Sequence, residues 1–200
     1  MQTNNIFIIG FMAAGKSSLA KELANNLNYK LLDTDDYIAK QESMTIREIF
    51  SKKGEQYFRE QEHKTLQHAQ NLTNTVVAIG AGAVGYFKNF CLLSKVENIF
   101  FLDTPLSIIA MRLEAQNERP LYDDDWENRY YMRLALYKQL GITINSYNKS
   151  NLDLTNEINN IVQAQNKLAK NSKINIKTEK NNYPIYIEKN ILLNIKNTIN

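Results

Sequence analysis

The stretch Gly10-Phe11-Met12-Ala13-Ala14-Gly15-Lys16-Ser17 constrains this chain more than any other. It follows the apolar run Ile6-Phe7-Ile8-Ile9 and precedes a helical pattern beginning near Ser18. G-x-x-x-x-G-K-[ST] therefore stands in the strand-then-helix context that gives it meaning. Its glycines permit backbone conformations that a Cβ obstructs, so N–H groups at Gly10 and from Ala13 through Ser18 can turn inward around a phosphate. The following helix adds its unpaired N–H groups and the positive end of its dipole. Lys16 can reach the terminal phosphates, and the Ser17 hydroxyl can ligate Mg²⁺. This predicts a nucleoside-triphosphate site that uses Mg²⁺.

The remaining pattern alternates strands and helices. Strands are expected over 5–9, 29–32, 75–79, 98–103 and 142–145. Helices are expected over 16–26, where Leu19, Leu23 and Leu27 share one face, and over 126–140 and 152–168. A polar helical region covers 37–71, broken near Lys53-Gly54, and Thr104-Pro105 opens another helix. Such alternation predicts an α/β P-loop kinase fold: a five-stranded parallel sheet with helices on both faces and right-handed crossovers. The polar segment 117–126 between two helices is a candidate mobile lid.

Asp33 and Asp35 follow the second strand at its carboxyl end, the edge that carries the phosphate loop. Two residues apart, they point the same way if the strand persists. Asp36 reads as an acid of a turn or a helix start. Gly80-Ala81-Gly82-Ala83-Val84-Gly85 spells G-x-G-x-x-G after a strand, with Asp103 about twenty residues on, which is literally a dinucleotide fingerprint. A chain this short would have to fit a nicotinamide site beside a complete phosphate loop. The glycines are better read as letting the backbone approach a second substrate. His63 and His68 read as surface residues, Cys91 as a small apolar filler, and the arginines, taken alone, as surface ion pairs. No His/Cys/carboxylate cluster favours a transition metal.

Composition narrows the classes further. Two hundred residues, 44 % hydrophobic, suffice for one domain with an appendage. No apolar run approaches the ~20 residues that span a bilayer, and no basic leader precedes the first strand, so a cytoplasmic protein without a membrane partner is expected. The net charge of +3 is misleading as a sign of nucleic-acid binding: 167–200 carry seven lysines and two glutamates, leaving 17 basic and 19 acidic residues in 1–166. One cysteine excludes an internal disulfide framework.

The motifs together resemble the shikimate kinase family over about residues 4–165. The resemblance is carried by the phosphate loop, Asp33-Thr34-Asp35, Phe58-Arg59, the glycine-rich turn, Arg119-Pro120-Leu121 and Arg133-Leu134-Ala135-Leu136-Tyr137, in order and spacing. It implies ATP-dependent phosphorylation of the 3-hydroxyl of shikimate, toward chorismate and the aromatic amino acids, by a monomer acting on small molecules. It implies that Lys16 binds the transferring phosphoryl group, and that Ser17 and Asp33 hold the metal. Asp35 would bind the shikimate hydroxyls and accept the proton of the attacking one. Arg59 and Arg133 would bind the substrate carboxylate, with Gly80, Ala81 and Gly82 shaping that pocket. Arg112 would pack against adenine, and Arg119 of the lid would reach the phosphates. A gluconate-like kinase and a nucleotide-binding module with lost activity are the rival readings.

The chain departs from the family pattern in three places. Ala81 stands inside the usual triple glycine, where it is strained if φ must be positive and otherwise crowds the substrate. Ala135 replaces a proline, and Asp123-Asp124-Asp125 puts acid into the lid. Beyond the domain at 1–168, the basic tail 169–200 resembles the opening of 3-dehydroquinate synthase, with Glu188 where that family has glycine. It is expected to be a remnant or severed start of a fused second domain, a disordered tail being the competing reading. Residues 173–177 and 183–187 alternate like strands about an Asn181-Asn182 turn, and Ile191 could begin a helix.

Overall fold

The computed structural model describes residues 4–115, 125–170, 173–177 and 182–186. The elements run β1 (Ile6–Ile9), α1 (Lys16–Leu27), β2 (Lys30–Asp33), α2 (Thr34–Glu42), α3 (Ile46–Gln70), β3 (Thr75–Ala78) and a 3₁₀ turn (Ala83–Gly85). There follow α4 (Phe87–Leu93), β4 (Ile99–Asp103), α5 (Leu106–Glu114), α6 (Trp126–Leu140), β5 (Ile142–Asn145), α7 (Asn151–Lys170), β6 (Lys173–Lys177) and β7 (Asn182–Tyr186). The chain divides into two compact units, Met1–Asn156 and Glu157–Asn200.

In the first unit β1 and β3 are buried at every residue, and β4 at all but its last. Continuous burial is what a parallel sheet covered by helices imposes, because neither face meets water. The sheet is wholly parallel in the order β2-β3-β1-β4-β5. Phe7 on the central strand sits opposite Val77 on one side and Ile99 on the other. From β1 the chain therefore steps outward to β2 on one side and later to β4 and β5 on the other. That reversal opens a crevice at the carboxyl ends of β1, β3 and β4.

Phe7, Ile9, Val77, Ile79, Phe101 and Tyr137 anchor the main core, each large apolar side chain contributing roughly 1.5–3 kcal/mol on full burial. Phe101 and Tyr137 stack at 5.1 Å, which fixes α6 against β4. A smaller cluster of Ile38, Ile49 and Phe58 joins α2 to α3, with Phe50 on its rim. This second cluster sets the residue after Phe58, Arg59, facing the crevice.

The expected helical region 37–71 begins earlier and breaks twice. Asp33 ends β2 and caps α2, its carboxylate accepting from the N–H groups of Asp35 and Asp36. Strand geometry therefore stops at Asp33, and the inference that Asp33 and Asp35 point alike fails because Asp35 belongs to a helical turn. Ser43, at φ 50°, closes α2, and Thr45 with Glu48 forms a capping box that starts α3. The second break is at Gly54 as expected, where φ 84° and ψ 166° kink α3.

The candidate lid at 117–126 falls almost wholly outside the described residues, as do Arg119, Asp123 and Asp124; Asp125 precedes the first turn of α6. In the second unit β6 and β7 pair antiparallel, Lys173 opposite Tyr186. β7 begins at Asn182, one residue earlier than expected, and the helix from Ile191 lies outside the described residues. No helix among the described residues is long and apolar enough to cross a membrane.

Candidate active site

A cleft of about 690 Å³ opens at the carboxyl ends of the sheet. One wall is the phosphate loop. Gly15, at φ 104°, turns the chain into α1 in a conformation that costs other residues strain. α1 starts with no side-chain cap and no acid in its first turn, so its amides and positive dipole end face the cleft. The loop's carbonyls are drawn the other way: Ala14 O accepts from Thr104 Oγ1 (3.0 Å) and from Arg112 Nη1 (3.1 Å), and Ala13 O accepts from Arg112 Nη1 (2.9 Å). With carbonyls tied back, the N–H groups can serve an anion. Lys16 Nζ donates to Phe11 O (2.9 Å) at the same wall.

The opposite wall carries the acceptor side. Arg59 is buried, its Nη1 donating to Glu62 Oε2 (3.1 Å) and its Nε and Nη2 to Glu55 Oε1 (3.2 and 2.9 Å). Burial opposes the Arg59 charge, but Glu62 and Glu55 outweigh it and hold the guanidinium above its usual range. Arg133 makes no ion pair with a carboxylate among the described residues, Glu55 acting on it only at longer range. Its Nη1 is buried with no hydrogen-bond partner among the described residues, and burial lowers its pKa. Two cations with so little compensating charge on Arg133 form a seat for a carboxylate.

Asp35 stands between the walls. Its Oδ1 is buried without a partner among the described residues. Burial first, then the Asp33 charge, push its pKa up, while Lys16 and Arg59 oppose the rise. A carboxyl shifted upward and aimed into a cleft is a better proton acceptor than an ordinary aspartate. The glycine turn after β3 closes in on both groups. A Cβ at Gly80 would lie 2.5 Å from Asp35 Oδ1, and one at Gly82 would run into the Arg59 guanidinium. Close approach is thus why glycine occupies both positions. Ala81 between them is not among the positive-φ residues, so it is unstrained; it packs against the main core, and its carbonyl accepts from Tyr137 Oη (2.6 Å).

Ser17 Oγ donates to Asp33 Oδ2 (2.6 Å) at the cleft's mouth. A hydroxyl and a carboxylate are hard oxygen donors, and Mg²⁺ bound with phosphates and water needs only one or two of these from protein. The pair therefore fits the expected metal.

The expected residues Ala13, Ala14, Gly15, Lys16, Ser17, Ser18, Asp33, Asp35, Arg59, Gly80, Ala81, Gly82, Arg112 and Arg133 all line this cleft. Gly10 lies beneath it, where a Cβ would meet Leu102 O at 2.9 Å. Arg112 is exposed but already engaged with the loop carbonyls, a contact that spacing alone did not suggest. Sequence reasoning missed Glu62, which is fully buried against Arg59, and Thr34, whose Oγ1 accepts from Gly80 N (2.9 Å). The signal for Glu62 was its i,i+3 spacing from Arg59. His63, expected at the surface, is partly buried against Asn89. Cys91 is half-buried.

Comparison with known proteins agrees with this geometry. The sequence model of the shikimate kinase family matches residues 12–170. The shikimate kinase of Sulfurihydrogenibium sp. is 36 % identical over 157 residues, covering 77 % of this chain and 95 % of that protein. Among solved structures, shikimate kinase from Acinetobacter baumannii in complex with shikimate superposes with a TM-score of 0.75 at 28 % identity, over 82 % of this chain and 95 % of that one. Shikimate kinase from Aquifex aeolicus does so at 0.70 and 28 %, over 82 % and 98 %.

Proposed function

This chain belongs to the shikimate kinase family, and from that membership we propose that it transfers the terminal phosphoryl group of ATP to the 3-hydroxyl of shikimate, giving shikimate 3-phosphate and ADP. The observation that carries the reading is the meeting, in one cleft, of the phosphate loop, Asp35 and the two arginines. A small trihydroxy acid needs cationic forks for its carboxylate and a carboxylate for its hydroxyls, and the wall opposite the loop supplies both.

In this proposal Arg59 and Arg133 grip the shikimate carboxylate, and Gly80, Ala81 and Gly82 shape the floor on which its ring rests. Asp35 orients the 3-hydroxyl and takes its proton as the oxygen attacks the terminal phosphorus. Its raised pKa supports that role. Lys16 and the loop amides neutralise charge on the three oxygens of the transferring group, the main demand of phosphoryl transfer. Ser17 and Asp33 would hold Mg²⁺, which when bound offsets the phosphate charge. Arg112 borders the nucleotide; a phosphate contact from Arg119, which lies outside the described residues, is what the family resemblance implies.

We also read the chain as a monomeric cytoplasmic enzyme acting on small molecules, with neither nucleic acid nor membrane as partner. The paired strands β6 and β7 support reading the tail as built like the opening of a 3-dehydroquinate synthase domain.

Coupled ADP release with shikimate, with gluconate and with no acceptor tests the activity. Shikimate-dependent release is expected. Release with gluconate alone would make it a different small-molecule kinase, and ATP binding without release would make it an inactive module.

A further inference from the structure

Asn89 sits on α4, is fully buried, and uses both ends of its amide. Its Nδ2 donates to Glu62 Oε2 (3.2 Å), and its Oδ1 lies 2.9 Å from His63 Nδ1. An amide oxygen can only accept, so His63 Nδ1 must carry the proton that fills this contact. Glu62 Oε2 also accepts from Arg59 Nη1 (3.1 Å). His63, Asn89, Glu62 and Arg59 therefore form an unbroken hydrogen-bonded line from the packing of α3 against α4 to a guanidinium in the cleft.

We infer that Asn89 is a positioning residue for acceptor binding: it holds Glu62 in the orientation that aims Arg59 at the carboxylate of the acceptor. The inference rests on the shikimate kinase reading. Glu62 is 0 % exposed, and a carboxylate so deep needs donors. Among the described residues Arg59 and Asn89 are its two donors, and both meet the same oxygen; Oε1 has no partner among them and faces the glycine turn, 2.9 Å from where a Gly80 Cβ would be. The terminal torsion of a glutamate is broad and weakly preferring, so its own rotamer does not fix Oε2. The second donor does. Without Asn89 the charged groups facing Glu62 remain Arg59 on α3, Asp35 on α2 and Arg133 on α6. Asp35 repels Glu62, and the arginines belong to the substrate seat. Arg59 would then be oriented mainly by Glu55, whose side chain is 65 % exposed and adjoins the kink at Gly54.

The test measures ADP release by the full chain with shikimate and ATP varied separately, alongside thermal melting. Asn89→Leu keeps the branched outline of the side chain, with somewhat larger methyl ends, and removes the donor. We expect its shikimate KM to rise about tenfold, with kcat and the ATP KM within about twofold. Asn89→Asp can donate only when protonated, so its shikimate KM should fall, relative to wild type, as the pH is lowered. His63→Ala should raise the shikimate KM severalfold, and His63→Gln, whose amide N–H can replace the donor, should restore it. If Asn89→Leu does not fold, the His63 pair decides. Unchanged shikimate KM in the folded variants, or a parallel loss in kcat, both KM values and melting temperature, overturns the inference while normal wild-type turnover leaves the kinase reading intact. Absence of shikimate-dependent turnover in wild type overturns both.

Discussion

The Ser17 hydroxyl and the Asp33 carboxylate meet across 2.6 Å, joining the first turn of α1 to the end of β2. Two neighbours in the crevice thus present oxygen to one point, one from the nucleotide wall and one from the strand that leads to the acceptor. Asp33 serves twice, since its other oxygen caps α2. Asparagine caps helices about as well as aspartate. Asp33→Asn should therefore melt like wild type while needing a higher Mg²⁺ concentration for half-maximal ADP release, with kcat/KM down by roughly a hundredfold. A Mg²⁺ titration superimposable on that of wild type would remove Asp33 from the metal site.

Ala81 and its flanking glycines should respond oppositely to substitution. Gly82→Ala pushes a methyl into the Arg59 guanidinium and should raise the shikimate KM more than tenfold by displacing one of the two carboxylate-binding groups. Ala81→Gly should gain nothing in shikimate KM, because Ala81 is not at positive φ and its carbonyl contact with Tyr137 does not involve the methyl. Steady-state kinetics with shikimate varied check both. An improved KM in Ala81→Gly would show that the methyl crowds the substrate after all.

Ala13 carries strain that no ligand is needed to reveal. At φ 57° it occupies the left-handed region, which costs a non-glycine residue roughly 1–2 kcal/mol. Glycine relieves that cost and adds back roughly 0.5–1 kcal/mol of unfolded-chain entropy. The net gain, about 0–1.5 kcal/mol, should raise the melting temperature of Ala13→Gly by up to about 3–6 °C in a chain of this size. A lowered melting temperature would mean that the methyl's packing against the main core outweighs the strain.

Glu62 predicts a pH signature of stability. Burial, partly opposed by Arg59, raises its pKa from 4.5 to about 7. The fold thus favours the neutral form, and the stability this confers is complete below about pH 4.5 and is lost as pH climbs through about 7. Glu62→Gln cannot ionise. The melting temperature of wild type minus that of the variant should therefore fall across this window. A difference that stays flat with pH would contradict the shift.

The order of the elements and most of the cleft were legible because their signals are local: an apolar β-branched run, a glycine loop, leucines at helical spacing. What escaped depended on distance in sequence. Asp33 looked like one of two aligned strand acids, yet capping requires it to end the strand, and its partner Ser17 lies sixteen residues away. The Thr45–Glu48 capping box is the local exception, a three-residue pattern that marks the start of α3. Glu62 and Asn89 look like ordinary polar positions of helices; only the packing of α4 on α3 buries them together, and no periodicity records it. Arg112 was expected at the nucleotide from spacing, but its hold on the loop carbonyls comes from the fold that brings α5 beside the phosphate loop.

The most direct test of the central claim, that one cleft joins a phosphate cradle to an acceptor seat with Asp35 between them, is the product formed from ATP and shikimate, read by phosphorus NMR for wild type and Asp35→Asn. The account predicts a phosphomonoester on the 3-hydroxyl for wild type, and for the variant a rate lower by about a hundredfold or more with ATP affinity unchanged. Equal product formation by Asp35→Asn, or ATP bound by wild type with no phosphorylated shikimate, would contradict it.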